Sequence, residues 1–382
     1  MKIVFNKLQT SKETIQVSLD GGTTWNSYVV SEIIESGIQL DENQEYDKIH
    51  IKGSATVLKN LDVVKSIEIP ESNNTKDEMF THDGTSFYGN LVNVKIPEGF
   101  TSIGQYAFVG CTSLTSIDLP ESLTFIGENA FNSCTNLTSI TLPENLTSIG
   151  YTAFYGCTSL TSINLPVGLT SISESAFGGC TSLTSINLPV GLTSIGKEAF
   201  SSCTSLTSIT LPESLTSTGE FAFYGCTNLT SINLPESLTS IDVGAFRGCS
   251  NLTSITLPES LTSIGSWVFE GCSSLTSINI PESVTSIGNS SFGGCKSLTS
   301  INIPDGVTSI GNNAFKGCSS LTSITLPEGL TSIDQYAFAY CTSLKTINFK
   351  GTEDQWNAIT KGSNWNIDCP SDMVINFDYQ GE

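Results

Sequence analysis

The chain has 382 residues, 37 of them acidic and 16 basic, for a formal net charge of −21. A surface of that sign repels phosphate, which sets nucleic acids and anionic membranes aside as partners. No apolar run approaches the ~18 residues of a membrane-crossing helix, so membrane insertion is not expected.

Residues 1–60 read as a small β-rich N-terminal domain. Its first ten residues lack the continuous apolar stretch of a secretory leader. From Thr14 to Val30 apolar and polar residues alternate on both sides of Asp20-Gly21-Gly22, which predicts a hairpin. Within it, Ser18 to Trp25 follow the pattern S-x-D-x-G-x-T-W and resemble the Asp-box hairpins that decorate sialidase propellers, where the motif is a folding element. One copy implies no propeller. A second extended stretch begins at Asp47. Residues 61–96 form degenerate entry repeats, with Val64, Ile67 and Ile69 before Pro70, and Leu91, Val94 and Ile96 before Pro97. These two prolines stand farther apart than the prolines that follow, so the segment from Asn73 to Gly84 is expected to be a looser loop.

Residues 97–349 repeat with a period of 23, with cysteine at 111, 134, 157 and onward to 341 and phenylalanine at 108, 131, 154 and onward to 338, eleven copies in all. A fixed period of this size is the signature of stacked supersecondary units. In the copy 104–126 the apolar positions are Ala107, Phe108, Cys111, Leu114, Ile117, Leu119, Leu123 and Ile126. That set is too small for one copy to fold alone, so burial must come from neighbours. Leu114-Thr-Ser-Ile117-Asp-Leu119 has the L-x-x-I-x-L form of a leucine-rich repeat strand, closed by Pro120. The return segment, for instance Glu128 to Cys134, is long enough for a helical turn or two. Gly104, Gly127 and Gly150 are expected to supply a left-handed corner. Ser173, Asp242 and Asp334 replace that glycine, with strain expected near Ser173, and Thr218 interrupts the Ile126 column, where stability should dip. The fold class read from this pattern is a repeat solenoid: a right-handed leucine-rich repeat β/α superhelix with a parallel sheet.

These motifs resemble the BspA-like leucine-rich repeats, whose signature is close to L-T-S-I-x-L-P-x-x-L-T-S-I-G-x-x-A-F-x-G-C-x-S. The likeness covers about three quarters of the chain. It implies a bacterial, extracellular or cell-surface protein, non-enzymatic and adhesive, with a host or bacterial surface protein or a glycan as partner. It names no ligand.

Eleven cysteines at one repeat position, beside the Phe and Leu columns, read as small buried hydrophobes. No Cys-x-x-Cys or Cys/His cluster points to a metal or other cofactor, and Cys369 stands outside the ladder. Beyond the array, residues 350–382 form a C-terminal cap, with a helix from about Gly351 to Thr360 and an extended Met373–Asp378, over which Trp356 and Trp365 pack.

Catalysis finds little support in the residue types, although carboxylates are plentiful. His50 and His82 are the only imidazoles, and no nucleophile elbow, phosphate loop or H-E-x-x-H occurs. Variation among the copies concentrates at positions equivalent to 105, 106 and 109. They carry Tyr106, Tyr151, Tyr155, Phe221, Tyr224, Trp267 and Tyr336 among charges such as Glu128, Glu174, Lys197, Arg247, Glu270 and Lys316. Exposed aromatics of this kind anchor interfaces. The predicted ligand-binding residues are therefore Tyr106, Tyr151, Tyr155, Phe221, Tyr224 and Trp267. Spacings of i, i+4 for Tyr151 and Tyr155 and of i, i+3 for Phe221 and Tyr224 pair them on a helical turn. Two other readings remain open: a phage-particle or appendage protein, virion-associated or cytoplasmic, and a carboxylate-dependent hydrolase.

Overall fold

Each copy must bury one face of every short strand it makes, and only the next copy offers an apolar surface of the same pitch. In the copy beginning at Gly104 the strand Ser116–Asp118 alternates out, in, out, with Ile117 buried. After Pro120 a second strand, Phe125–Ile126, buries Ile126.

The computed structural model describes residues 100–380, the segment 93–96 and, before them, the backbone of six strands between residues 2 and 68. The chain divides into two compact units, Met1–Pro189 and Val190–Glu382.

In the first unit Val64–Glu68, Asn93–Lys95 and Ser116–Asp118 pair in parallel, Ile67 on Val94 on Ile117. Lys2–Phe5 lies antiparallel to Val64–Glu68 and covers that edge. Thr14–Ser18 and Asn26–Val29 form the expected antiparallel pair, while the Asp-box loop between them lies outside the described residues, as do His82 and the loop from Asn73 to Gly84. A second parallel ladder joins Ser102–Ile103, Phe125–Ile126 and Ser148–Ile149. In the second unit Ser208, Ser231 and Ser254 lie in register, and Ser300, Ser323 and Thr346 likewise. Serine thus faces serine and isoleucine faces isoleucine.

Behind the strands run the phenylalanines. In the first unit Phe108, Phe131, Phe154 and Phe177 stack at 5.3, 5.2 and 5.5 Å. In the second, a like stack runs from Phe200 to Phe338 with steps of 5.3–6.0 Å. Each of these rings is fully buried. Near-parallel stacking at this spacing adds to the burial of large apolar area. Some of the strand-end leucines read as inward are only half-buried: Leu119 and Leu165 are partly exposed, Leu142 and Leu211 buried.

Hydroxyls account for the low charged fraction. Thr138, Thr161 and Thr184 form a ladder in which each Oγ1 donates to the preceding threonine's carbonyl, at 3.3 and 3.2 Å. The column from Thr207 to Thr322 repeats it at 3.1–3.4 Å. A residue that bonds the turn before it cannot be exchanged for an apolar one without leaving that contact empty.

The glycine column has a different role from the one expected. Gly127 and Gly150 do not adopt positive φ; a Cβ on Gly127 would lie 2.7 Å from the backbone of Gln105, and one on Gly150 2.6 Å from that of Glu128. These glycines permit close approach of successive turns. Ser173 likewise is not left-handed, and its Oγ donates to the Ile149 carbonyl at 2.5 Å, so the expected strain is absent. Gly127→Ala is accordingly expected to cost about 1–3 kcal/mol, the scale of overpacking, readable as a lower urea midpoint with an unchanged slope.

Thr218 does interrupt its column. It is fully buried, no strand forms at residues 217–218, and Gly219 turns left-handed with φ 73°. Asp242 repairs the gap: its N–H donates to Thr218 Oγ1 at 3.2 Å, and its carboxylate accepts from Gly219 N at 3.0 Å.

The end of the chain is a twelfth turn in disguise. From Asn93↔Ser116 to Ser323↔Thr346 the parallel pairs join equivalent positions one period apart, whereas Ser332↔Thr360 and Thr346↔Val374 pair across a longer stretch of chain. The surplus is absorbed by the helix Glu353–Ala358, capped by Thr352 through a reciprocal bond pair with Gln355. Trp356 is buried against Phe349 and Trp365, with ring centroids 5.4 and 6.1 Å apart.

Candidate functional site

The return segment faces solvent on one side and the phenylalanine stack on the other, and its backbone explains why. Residues 106, 108 and 110 donate their N–H to carbonyls 128, 130 and 132 of the next turn, at 2.7–2.8 Å, while 107, 109 and 111 donate back to 104, 106 and 108. Every N–H of the segment is used. This alternation requires left-handed residues at two places, so no helix forms among the described return segments. One left-handed column is glycine-rich: Gly110, Gly156, Gly225 and Gly317 have φ of 66–73°. The other is not. It holds Tyr106, Asn129, Thr152, Ser175, Glu198, Phe221, Gly244, Trp267, Ser290, Asn313 and Tyr336, all at φ 49–62°.

Bulky residues in that region are true outliers, at a cost of roughly 1–2 kcal/mol each. Glycine at Gly244 shows that the fold accepts the unstrained choice. Aromatic rings stand there nonetheless.

In the first unit Tyr151 and Tyr155 are exposed at 59% and 44%. Left-handed Thr152 lies between them, so the helical-spacing argument for pairing them does not hold. Tyr106 is half-buried, its hydroxyl donating to Glu128 Oε1 at 3.4 Å. In the second unit Phe221 and Tyr224 do meet, edge to face with centroids 6.2 Å apart. Phe221 is half-buried because its ring lies over Gly244, where an added Cβ would overlap it. The Arg247 guanidinium sits 5.9 Å from the Tyr224 ring and pairs with Glu270 at 2.6 Å. Trp267, exposed at 39%, stands at the same repeat position as Gly244, one copy on.

Beyond Glu270 opens a groove of about 550 Å³ floored by Gly271, Gly294 and Gly317. Tyr340 closes it with 45% of its surface exposed, and Lys316 Nζ lies 5.9 Å from its ring and 5.7 Å from that of Tyr336. Tyr340 was not among the residues expected from sequence. Its signal is a bulky side chain immediately before cysteine, where the other copies have glycine or serine.

The cysteines belong to the scaffold. From Cys134 onward the ladder thiols donate to the phenylalanine carbonyl of the preceding turn, as Cys134 to Phe108 at 3.1 Å and Cys249 to Phe223 at 3.2 Å. Cys369 makes the same bond to Phe338 at 3.2 Å, so it closes the ladder it had seemed to leave. Burial pushes the thiols of Cys157, Cys226, Cys249 and Cys295 well up from the ordinary range, and Cys272 up to about 12. Such thiols are protonated and unreactive near neutrality. Among the described residues no group of His, Cys, Asp and Glu could hold a metal ion.

The fold and this surface define a parallel-sheet leucine-rich repeat solenoid with a variable outer face. The BspA type leucine-rich repeat region, in six copies, matches residues 85–191, 170–295 and 263–363; the chain belongs to this family. A leucine-rich repeat protein from Bacteroides ovatus ATCC 8483 is 26% identical with a TM-score of 0.59, the match covering 89% of this chain and 99% of that one. A leucine rich cell surface protein from Faecalibacterium prausnitzii A2-165 is 32% identical over 72% of this chain and 92% of its own, with a TM-score of 0.47. A leucine-rich repeat protein from Eubacterium ventriosum ATCC 27560 shares the fold at 23% identity, TM-score 0.55, over 85% of this chain and 90% of that one. No curated protein is similar enough to count as a relative. Proteins of this family are typically surface proteins that bind other molecules, and are generally non-enzymatic. No helix among the described residues is long and apolar enough to cross a membrane.

Proposed function

We propose that this protein is a non-enzymatic recognition protein of the bacterial surface, adhesive in role, which binds protein or glycan ligands through the aromatic residues of its return-segment face. The observation that carries this reading is the placement of Phe221, Trp267 and Tyr336 at left-handed positions where glycine or asparagine would be cheaper. Trp267 is exposed and Phe221 and Tyr336 are half-buried, so strain kept at these rings is not offset by filling the core behind them. The cell-surface description of the Faecalibacterium prausnitzii relative supports the location.

Binding of the full chain to arrays of host matrix proteins and glycans tests this. A variant with Tyr151, Tyr155, Phe221, Tyr224 and Trp267 changed to alanine is expected to keep its melting temperature and lose most of its binding. Equal binding by both proteins would remove the aromatic face from consideration.

A further inference from the structure

The groove between Glu270 and Tyr340 has a cause in sequence. In the copy from Gly288 to Cys295, positions 293 and 294 are both glycine, whereas the flanking copies carry Glu270 and Lys316 at the first of these positions. The missing side chain leaves a notch, and long side chains wall it on both sides. The groove crosses four successive turns, from Glu270 past Gly294 and Gly317 to Tyr340, and the phenylalanine rings beneath mark steps of 5.5, 5.3 and 5.4 Å.

Three observations narrow the occupant. First, the floor offers no free ladder: Gly271 N donates to Gly293 O and Gly294 N to Lys316 O, both at 2.7 Å, so a peptide cannot add here as a strand. Second, the groove is open and shallow, and its mainly apolar lining of ring and glycine surface is edged by Glu270, Asn313 and Lys316. Third, the net charge of −21 disfavours polyanions, and Arg247 is already neutralised by Glu270. A flat ring beside hydroxyl-matching donors and acceptors suits a sugar, and a pyranose in an extended chain advances by about one such step. The volume lies within the ~300–1,000 Å³ of small-molecule sites.

We propose that this groove is a binding site for an uncharged, linear, β-linked oligosaccharide lying across the turns, with one sugar on Tyr340 and the chain leading toward Trp267. The site rests on the recognition role above and specifies its ligand class.

Two substitutions test it without harming the fold. Gly293 is not left-handed, and a Cβ there meets nothing closer than 3.4 Å; its column accepts Tyr155, Tyr224 and Arg247 elsewhere. Gly293→Gln therefore fills the notch alone. Tyr340→Gly restores the column's usual residue at φ 62° and removes the ring. Calorimetric titration of the full chain with cello- and chito-oligosaccharides of increasing length is expected to show affinity that rises and then levels at about four sugars, with a quench of Trp267 fluorescence. Each variant should weaken binding about tenfold or more, with Tyr340→Gly melting no lower than the parent. Unaltered oligosaccharide binding in both variants, binding of heparin alone, or no binding by either series would overturn the proposal. If array binding still fails only in the five-residue aromatic variant, the recognition role stands and this groove is not its ligand site.

Discussion

Raising the pH above 9 is expected to unfold the protein steeply, and the cysteine ladder is the reason. Burial holds the thiols of Cys134, Cys157, Cys226, Cys249, Cys272 and Cys295 above the ordinary value of 9.0; Cys341 is held up first by its hydrogen bond with Cys318 and then by burial. A raised folded pKa means that the native state holds protons the unfolded chain has released. The stability these thiols contribute is complete below pH 9 and is lost as the pH climbs toward the folded values. Each loses about 1.4 kcal/mol per pH unit, so seven together lose roughly 10 kcal/mol per unit, comparable to the whole stability of an ordinary domain. Circular dichroism against pH under reducing conditions should show onset just above 9. Changing Cys226, Cys249 and Cys272 to alanine lowers overall stability but should reduce the proton number of the transition by three. An identical proton number in parent and variant would assign the alkaline transition to other groups.

Removing residues 351–382 is expected to cost more than any single substitution. The carbonyls of Ser363, Trp365 and Ile367 accept from the N–H groups of Tyr336, Phe338 and Tyr340. Strands Thr360–Lys361 and Val374–Asn376 cover both sheet edges of the last regular turn, and Trp356 covers Phe349. Without them Phe338, Leu344, Ile347 and Phe349, all fully buried, would form an apolar end with two unpaired edges. The shortened chain should elute at higher mass than the full chain and melt at least 10 °C lower, on the order expected for several kcal/mol in a domain of this size. A shortened chain of unchanged melting temperature and no self-association would show that the twelfth turn is dispensable.

The columns that packing dictates were legible from residue type alone. Phe108, Cys111, Leu114 and Ile117 lie where their period places them, because a core position tolerates little else. The return segment was not legible, since its left-handed column holds Tyr, Thr, Glu and Trp in place of glycine, and no residue preference announces it. The glycines that did stand out, Gly127 and Gly150, answer to the approach of a neighbouring turn, a distance no single copy encodes. Cys369 and Trp365 escaped the period because the inserted helix shifts them out of step with it. For the outer face, variability between copies pointed to Tyr151 and Trp267. The groove arises from a side chain that is missing at Gly293, and such a gap carries little weight when residues are read for what they are.

Within each unit the return segments donate alternate N–H groups to the following turn, and thiols such as those of Cys249 and Cys272 donate to the preceding one. The two sides of a copy are therefore different, but the joint between any two copies is nearly the same joint. Gene recombination that adds or deletes one whole copy within such a run recreates a joint already in use, so copy number can drift while the fold persists. Thr218 and Asp242 form one exception. Their bonds cross one joint and belong to no other, so those two neighbouring copies must be inherited together or lost together.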